Sequence, residues 1–88
     1  MKAAFRKSFA RDLKKIKDQA LLLGVRQAIE QVEAVADLRA VSYLKKLSGT
    51  GYYYRIRVGD YRLGVAIEGD TVEFVRCLPR RDLYRYFP

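Results

Sequence analysis

The stretch YYYRIRVGDYRLGVAIEGDTVEFVRCL, residues 52–78, decides the fold. It holds three runs rich in β-branched and aromatic residues, 52–58, 61–68 and 71–78, parted by Gly59-Asp60 and Gly69-Asp70. Such residues suit the pleated, half-buried surface of a sheet. A two-residue Gly-Asp joint is a hairpin signal, though a weaker one than Asn-Gly. The reading is an antiparallel three-stranded meander. Two-residue turns also set its register: Val58 faces Tyr61, Arg57 faces Arg62, Ile56 faces Leu63, Arg55 faces Gly64 and Tyr54 faces Val65.

Side chains alternate between the two faces of a strand. One face therefore collects Tyr54, Ile56, Val58, Tyr61, Leu63, Val65, Ile67, Val72 and Phe74, an apolar surface for helices to cover. The other collects Arg55, Arg57, Arg62, Gly64, Ala66, Glu73, Val75 and Cys77.

Upstream, residues 3–6 read as a short first strand. Ser8 is placed to cap a helix carrying Phe9, Leu13 and Ile16 at helical spacing. Lys14, Lys15 and Lys17 would sit in its last turn, where cations suit the helix dipole. A second helix is expected over 21–36, with Leu22, Val25, Ile29, Val32 and Val35 on one stripe. Together the two make a helical hairpin. Residues 37–51 read as a connector whose Leu38, Val41, Leu44 and Leu47 tuck inward, closed by Ser48-Gly49-Thr50-Gly51. Residues 80–87, after Pro79, form either a helical turn or an irregular tail. The expected fold is α+β, a helical hairpin on a small, mainly antiparallel sheet, in one domain spanning 1–88.

Composition narrows the chemistry. Eighteen Lys and Arg stand against ten Asp and Glu, a formal charge of +8 that points to an anionic partner. The absence of histidine removes Ser–His–Asp and Cys–His catalysis and histidine metal sites. A lone cysteine, Cys77, leaves no internal disulfide or Cys-based zinc site, so no metal and no cofactor are expected. It also suits a reducing cytoplasm. No apolar run is long enough to span a bilayer, and the first residues lack the apolar core of a signal peptide. The helices carry mixed charge, not the basic amphipathic face of a membrane binder.

The polar sheet face is unusual in two respects. Arg57 lies across from Arg62, and like charges so placed are destabilising. Gly64 and Ala66 stand in mid-strand, where glycine weakens folding. Together they describe a shallow floor with cations above it. A solvated face whose arginines pair with Glu73 and Asp60 would leave the same pattern. Arginine at all three strand positions, with Arg80, Arg81 and Arg85 following, favours bidentate phosphate contact instead. Tyr53 precedes the strand arginines and Tyr84 interleaves with the tail arginines, the alternation of a surface that grips phosphates and stacks bases.

Leu47-Ser48-Gly49, then residues 54–63 (YRIRVGDYRL), then residues 80–85 (RRDLYR), in this order of elements, resemble the RelE/ParE toxin superfamily over nearly the whole chain. The resemblance implies a type II toxin held inactive by a co-expressed antitoxin in a hetero-oligomer. RelE-type members enter the ribosomal A site and cut mRNA, and ParE-type members poison DNA gyrase. On the RelE pattern the catalytic set would be Arg55, Arg57, Arg62, Arg80 and Tyr84, with Arg81, Arg85 and Tyr53 as further RNA contacts.

Many relatives carry histidine where this chain has Pro79, and ribosome-dependent nucleases often carry lysine where it has strand arginines. Arginine stays protonated, so no residue stands out as a general base. The implied reaction is attack of a ribose 2′-hydroxyl on the adjacent phosphate, giving a cyclic phosphate and a 5′-hydroxyl. The alternatives are a gyrase-directed toxin and a non-catalytic RNA-binding module. The implied antitoxin is acidic, to match the basic surface.

Overall fold

Both Gly-Asp pairs turn the chain in two residues. Gly59 and Gly69 take φ of 55° and 61°, left-handed values that glycine adopts without the penalty other residues meet. In the computed structural model, which describes residues 1–47, 49 and 51–88, these turns join three long strands. They are β3 (Tyr53–Val58), β4 (Tyr61–Glu68) and β5 (Thr71–Pro79). The β3–β4 register is the one the turns require, including Arg57 opposite Arg62 and Arg55 opposite Gly64.

The chain enters through strand β1 (Lys2–Phe5), parallel to β5. Helices α1 (Lys7–Lys14) and α2 (Gln19–Ala34) follow. After a single 3-10 turn at Leu38–Ala40 comes strand β2 (Leu44–Lys46), and helix α3 (Arg80–Tyr86) follows β5. The sheet order is β1-β5-β4-β3-β2. Phe9, Val25 and Val32 from the hairpin meet Ile56, Leu63, Val65, Val72 and Phe74 from the sheet to form the core.

Five details depart from the sequence-based expectation. Ser8 does not cap α1: the N-cap is Arg6, and the Ser8 hydroxyl donates to the Val75 carbonyl at 2.6 Å. A tertiary acceptor has claimed the side chain. Helix α2 starts two residues early because Asp18 accepts from the backbone N–H groups of Ala20 and Leu21. Lys15 and Lys17 lie beyond the end of α1, and of the three lysines Lys14 alone is in its last turn, with Arg11.

The connector contains strand β2, pairing Leu44 with Ile56, Lys45 with Arg55 and Lys46 with Tyr54. Three residues are too few to show alternation, and the outer edge of β3 supplies the pairing. Val41 is buried and Leu38, Leu44 and Leu47 are half-buried, as the inward side of the connector requires. Ser48 and Thr50, assigned to the closing turn, lie outside the described residues.

The fifth departure is a bulge. Gly64 faces Arg76 while Val65 faces Phe74, leaving Val75 as an extra residue. A bulge swaps the faces of the residues beyond it. Cys77 therefore leaves the arginine face for the core beside Leu63, only 2 % exposed. Burial, aided by Asp12, pushes its thiol up to about 12.

Past the bulge, Asp12 of α1 fastens β5. Its Oδ2 accepts from Arg76 Nε at 2.8 Å and from the Cys77 backbone N–H at 2.9 Å, and its Oδ1 accepts from Arg76 Nη2 at 3.1 Å. Three donors meet one buried carboxylate. Asp12→Ala should lower stability by about 2–3 kcal/mol in urea titration, since it strands charged and backbone donors together. Native Cys77 should react with a disulfide reagent only at the rate of unfolding. Because the folded thiol keeps its proton above the ordinary value of 9.0, stability should fall as pH rises from there toward 12, and Cys77→Ala should flatten that fall.

Candidate functional site

The β3–β4 turn determines what stands opposite what, and so where the charges gather. Arg62 is the second residue after the turn and only 8 % exposed. Its Nη1 donates to the Gly59 carbonyl at 3.0 Å and the Tyr61 carbonyl at 2.9 Å, so the guanidinium closes over its own turn. Burial holds it below the ordinary arginine value, and the positive charges of Arg55, Arg80 and Arg57 push the same way. Tyr84 acts in the opposite sense. These influences locate the group: Arg55, Arg57, Arg80 and Tyr84 all stand within electrostatic reach of Arg62.

Each neighbour is positioned by a different element. Arg55 lies on β3 with its Nη1 on the Tyr43 carbonyl at 2.9 Å, while its buried Nε finds no acceptor among the described residues. The Arg57 guanidinium stands 5.6 Å from the centre of the Tyr43 ring, a cation–π contact. Arg80 opens α3, and its backbone N–H donates to the Asp60 carbonyl at 2.9 Å, on the same turn that Arg62 covers. Leu83, fully buried, anchors α3 on the sheet and leaves Tyr84 more than half exposed one residue later.

No protein carboxylate neutralises this group. Among the described residues, Glu73 pairs with Arg6 and the other ion pairs are Lys2–Asp70, Arg26–Glu30, Arg39–Asp37 and Arg76–Asp12. The pairing with Glu73 and Asp60 that a merely solvated face would show is not made. Five of the expected residues thus come together: Arg55, Arg57, Arg62, Arg80 and Tyr84. Arg81 and Arg85 are exposed on α3 but are not among the groups acting on Arg62.

Tyr53 sits elsewhere on the face, its ring edge-on to Phe87 at 5.5 Å. With Tyr52, Ala66, Glu73 and Phe87 it lines a groove of about 610 Å³, the largest cavity described but one where the nearest arginine, Arg6, is already paired. The expected floor also needs correction. Phe87 is 5 % exposed and lies flat over Gly64, so that position is covered. The open space is on the other side, where Lys45, Lys46, Leu47, Gly49 and Tyr84 line a cavity of about 520 Å³. Lys45 stands opposite Arg55 in register and extends the cationic surface onto β2. Sequence reading passed over it because β2 was not recognised. The Lys45-Lys46 pair between Leu44 and Leu47 was the available signal.

Residues 3–84 match the family described as ParE toxin of type II toxin-antitoxin system, parDE. The chain belongs to the RelE/ParE superfamily of type II toxins. Toxin RelE3 of Methanocaldococcus jannaschii is 39 % identical over 89 residues, covering the whole of both chains. The RelB-RelE antitoxin-toxin complex from Methanococcus jannaschii contains a chain that superposes with a TM-score of 0.81 at 38 % identity, covering 97 % of this chain and 99 % of that one. A RelE-RelB complex from Pyrococcus horikoshii has the same fold, with a TM-score of 0.72 at 21 % identity over 90 % of this chain and 93 % of that one. The superfamily assignment accounts for the α+β architecture. No helix of the described residues is long and apolar enough to cross a membrane.

The unpaired cluster carries a cost in the free protein. Arg57→Gln removes the charge directly across from Arg62 and should raise stability by about 0.5 kcal/mol in thermal unfolding at low salt. The gain should largely disappear in about 1 M salt, which screens the repulsion.

Proposed function

We propose that this toxin is an endoribonuclease that cuts mRNA, in the ribosomal A site, by attack of a ribose 2′-hydroxyl on the adjacent phosphate. The observation that carries the reading is the gathering of Arg55, Arg57, Arg80 and Tyr84 within electrostatic reach of Arg62, with none of these arginines paired to a carboxylate among the described residues. A phosphodiester is an anion of matching size and geometry. The guanidinium fork contacts two of its oxygens at once.

Charge rises on the phosphoryl oxygens as the 2′-oxygen bonds to phosphorus, and the P–O5′ bond then breaks to leave a 2′,3′-cyclic phosphate and a 5′-hydroxyl. Arg62 and Arg80 stabilise that charge. The Arg62 guanidinium is already desolvated and held by the turn, and the backbone of the exposed Arg80 is pinned to the same turn, so little reorganisation is needed at the moment of reaction. Arg55 and Arg57 hold the backbone through their guanidinium groups. Tyr84, exposed beside the cluster, stacks on a base or takes part in proton transfer. Arg81, Arg85 and Tyr53 contact RNA farther out. The ribosome contributes orientation, which compensates for the absence of an evident general base.

The inhibitor of such a surface is an acidic antitoxin, an assignment supported by the complexes in which similar toxins are found. A gyrase-directed action is the second reading, favoured by the ParE name of the matching family. Which of translation and DNA replication stops first after induction separates the two.

Arg62→Ala and Arg80→Ala, made separately, should each slow cleavage of mRNA on programmed ribosomes by roughly a hundredfold or more and relieve growth arrest. Full activity in both variants would overturn the proposal.

A further inference from the structure

Gly64 lies in the middle of β4, opposite Arg55 on one side and Arg76 on the other. No turn requires glycine there. What requires it is Phe87. A Cβ at position 64 would stand 2.8 Å from Cγ and Cδ2 of the Phe87 ring and 3.0 Å from Cδ1. The ring is therefore seated on bare backbone, closer than any other side chain would allow. Tyr53 meets its edge at 5.5 Å, and the Phe87 backbone N–H closes the last turn of α3 on the Leu83 carbonyl at 2.8 Å.

Helix α3 has few attachments to the sheet. At its start, the Arg80 N–H is pinned to the Asp60 carbonyl. Farther along, Leu83 and Phe87 are the two buried anchors, one helical turn apart on a single stripe. Arg80 and Tyr84 share the adjacent stripe by the same spacing. Seven residues of helix do not hold themselves in water, so the orientation of Tyr84 depends on those anchors.

We infer that Phe87, seated on Gly64, is a positioning residue: a latch that sets the roll of α3 and thereby presents Tyr84 to the phosphate held by Arg62. The inference rests on the endoribonuclease reading for its consequence, while the latch itself is a property of the fold. Strand-borne Arg55, Arg57 and Arg62 do not depend on it, and Arg80 is held at the start of α3 by the Asp60 carbonyl, so substrate grip and Tyr84 placement separate.

The test uses the full chain on programmed ribosomes, with amide hydrogen exchange on the free protein. Phe87→Ala should lower kcat by roughly tenfold to a hundredfold, the scale of a misplacement near 1 Å, and leave KM within about threefold. Phe87→Leu, which refills the seat, should recover most of the loss. In a Tyr84→Ala background, Phe87→Ala should cost nothing further, because its effect passes through that tyrosine. Gly64→Ala should reproduce the loss in the wild-type background and be nearly silent with Phe87→Ala, where the space is free. Exchange of the α3 amides should quicken in Phe87→Ala. Unchanged kcat, or losses that multiply across the Phe87 and Tyr84 substitutions, would overturn the latch. If the wild-type protein leaves mRNA intact, the endoribonuclease reading falls. Exchange then decides the latch: equal protection of α3 in Phe87→Ala overturns it, and faster exchange upholds it.

Discussion

The turn Gly59-Asp60 is the joint on which the arrangement depends. Because it reverses the chain in two residues, Arg57 must stand opposite Arg62. Its carbonyls then serve as acceptors on two sides. Gly59 takes a hydrogen bond from the Arg62 guanidinium, and Asp60 takes one from the Arg80 backbone. One turn thus sets a strand register, buries a charge and fixes where α3 begins. A longer loop would free all three, since register in a hairpin follows loop length.

Arg62 shows what the joint imposes. A buried guanidinium normally finds a carboxylate, and this chain can arrange that: Arg76, opposite Gly64 on β5, meets Asp12 with two of its nitrogens. On the same sheet, the neighbouring Arg55, Arg57 and Arg62 receive carbonyls and an aromatic ring instead. Pairing is used where α1 must be fastened and withheld where the cluster faces outward. Functional sites often retain such unrelieved strain because relieving it removes the function.

The Gly64 seat changes the shape of the site. With Phe87 on it, the face is divided. On one side lies a groove walled by Tyr52 and Tyr53, whose arginine is neutralised by Glu73. On the other lie Arg55, Arg57 and Arg62, with Lys45 opposite Arg55 in register and lining a cavity shared with Tyr84. The glycine that looked like room for a ligand is room for the protein's own tail.

By itself, the sequence determined what local rules govern. Two-residue turns and strict alternation are short-range constraints, so residues 52–74, with Arg55, Arg57 and Arg62 on one face, could be placed before any contact was known, whereas Arg80 and Tyr84 were singled out by the tail composition and the family resemblance. The tertiary structure decided what rests on long-range partners. Whether Ser8 caps a helix or bonds Val75 depends on an acceptor 67 residues away. Strand β2 exists because β3 offers an edge, and the bulge at Val75 sends Cys77 inward. Phe87 lies on Gly64 because packing brought the ring to a mid-strand position with no side chain in its way. Periodicity carries no information about such pairings; they are settled by contact energies between segments far apart in the chain.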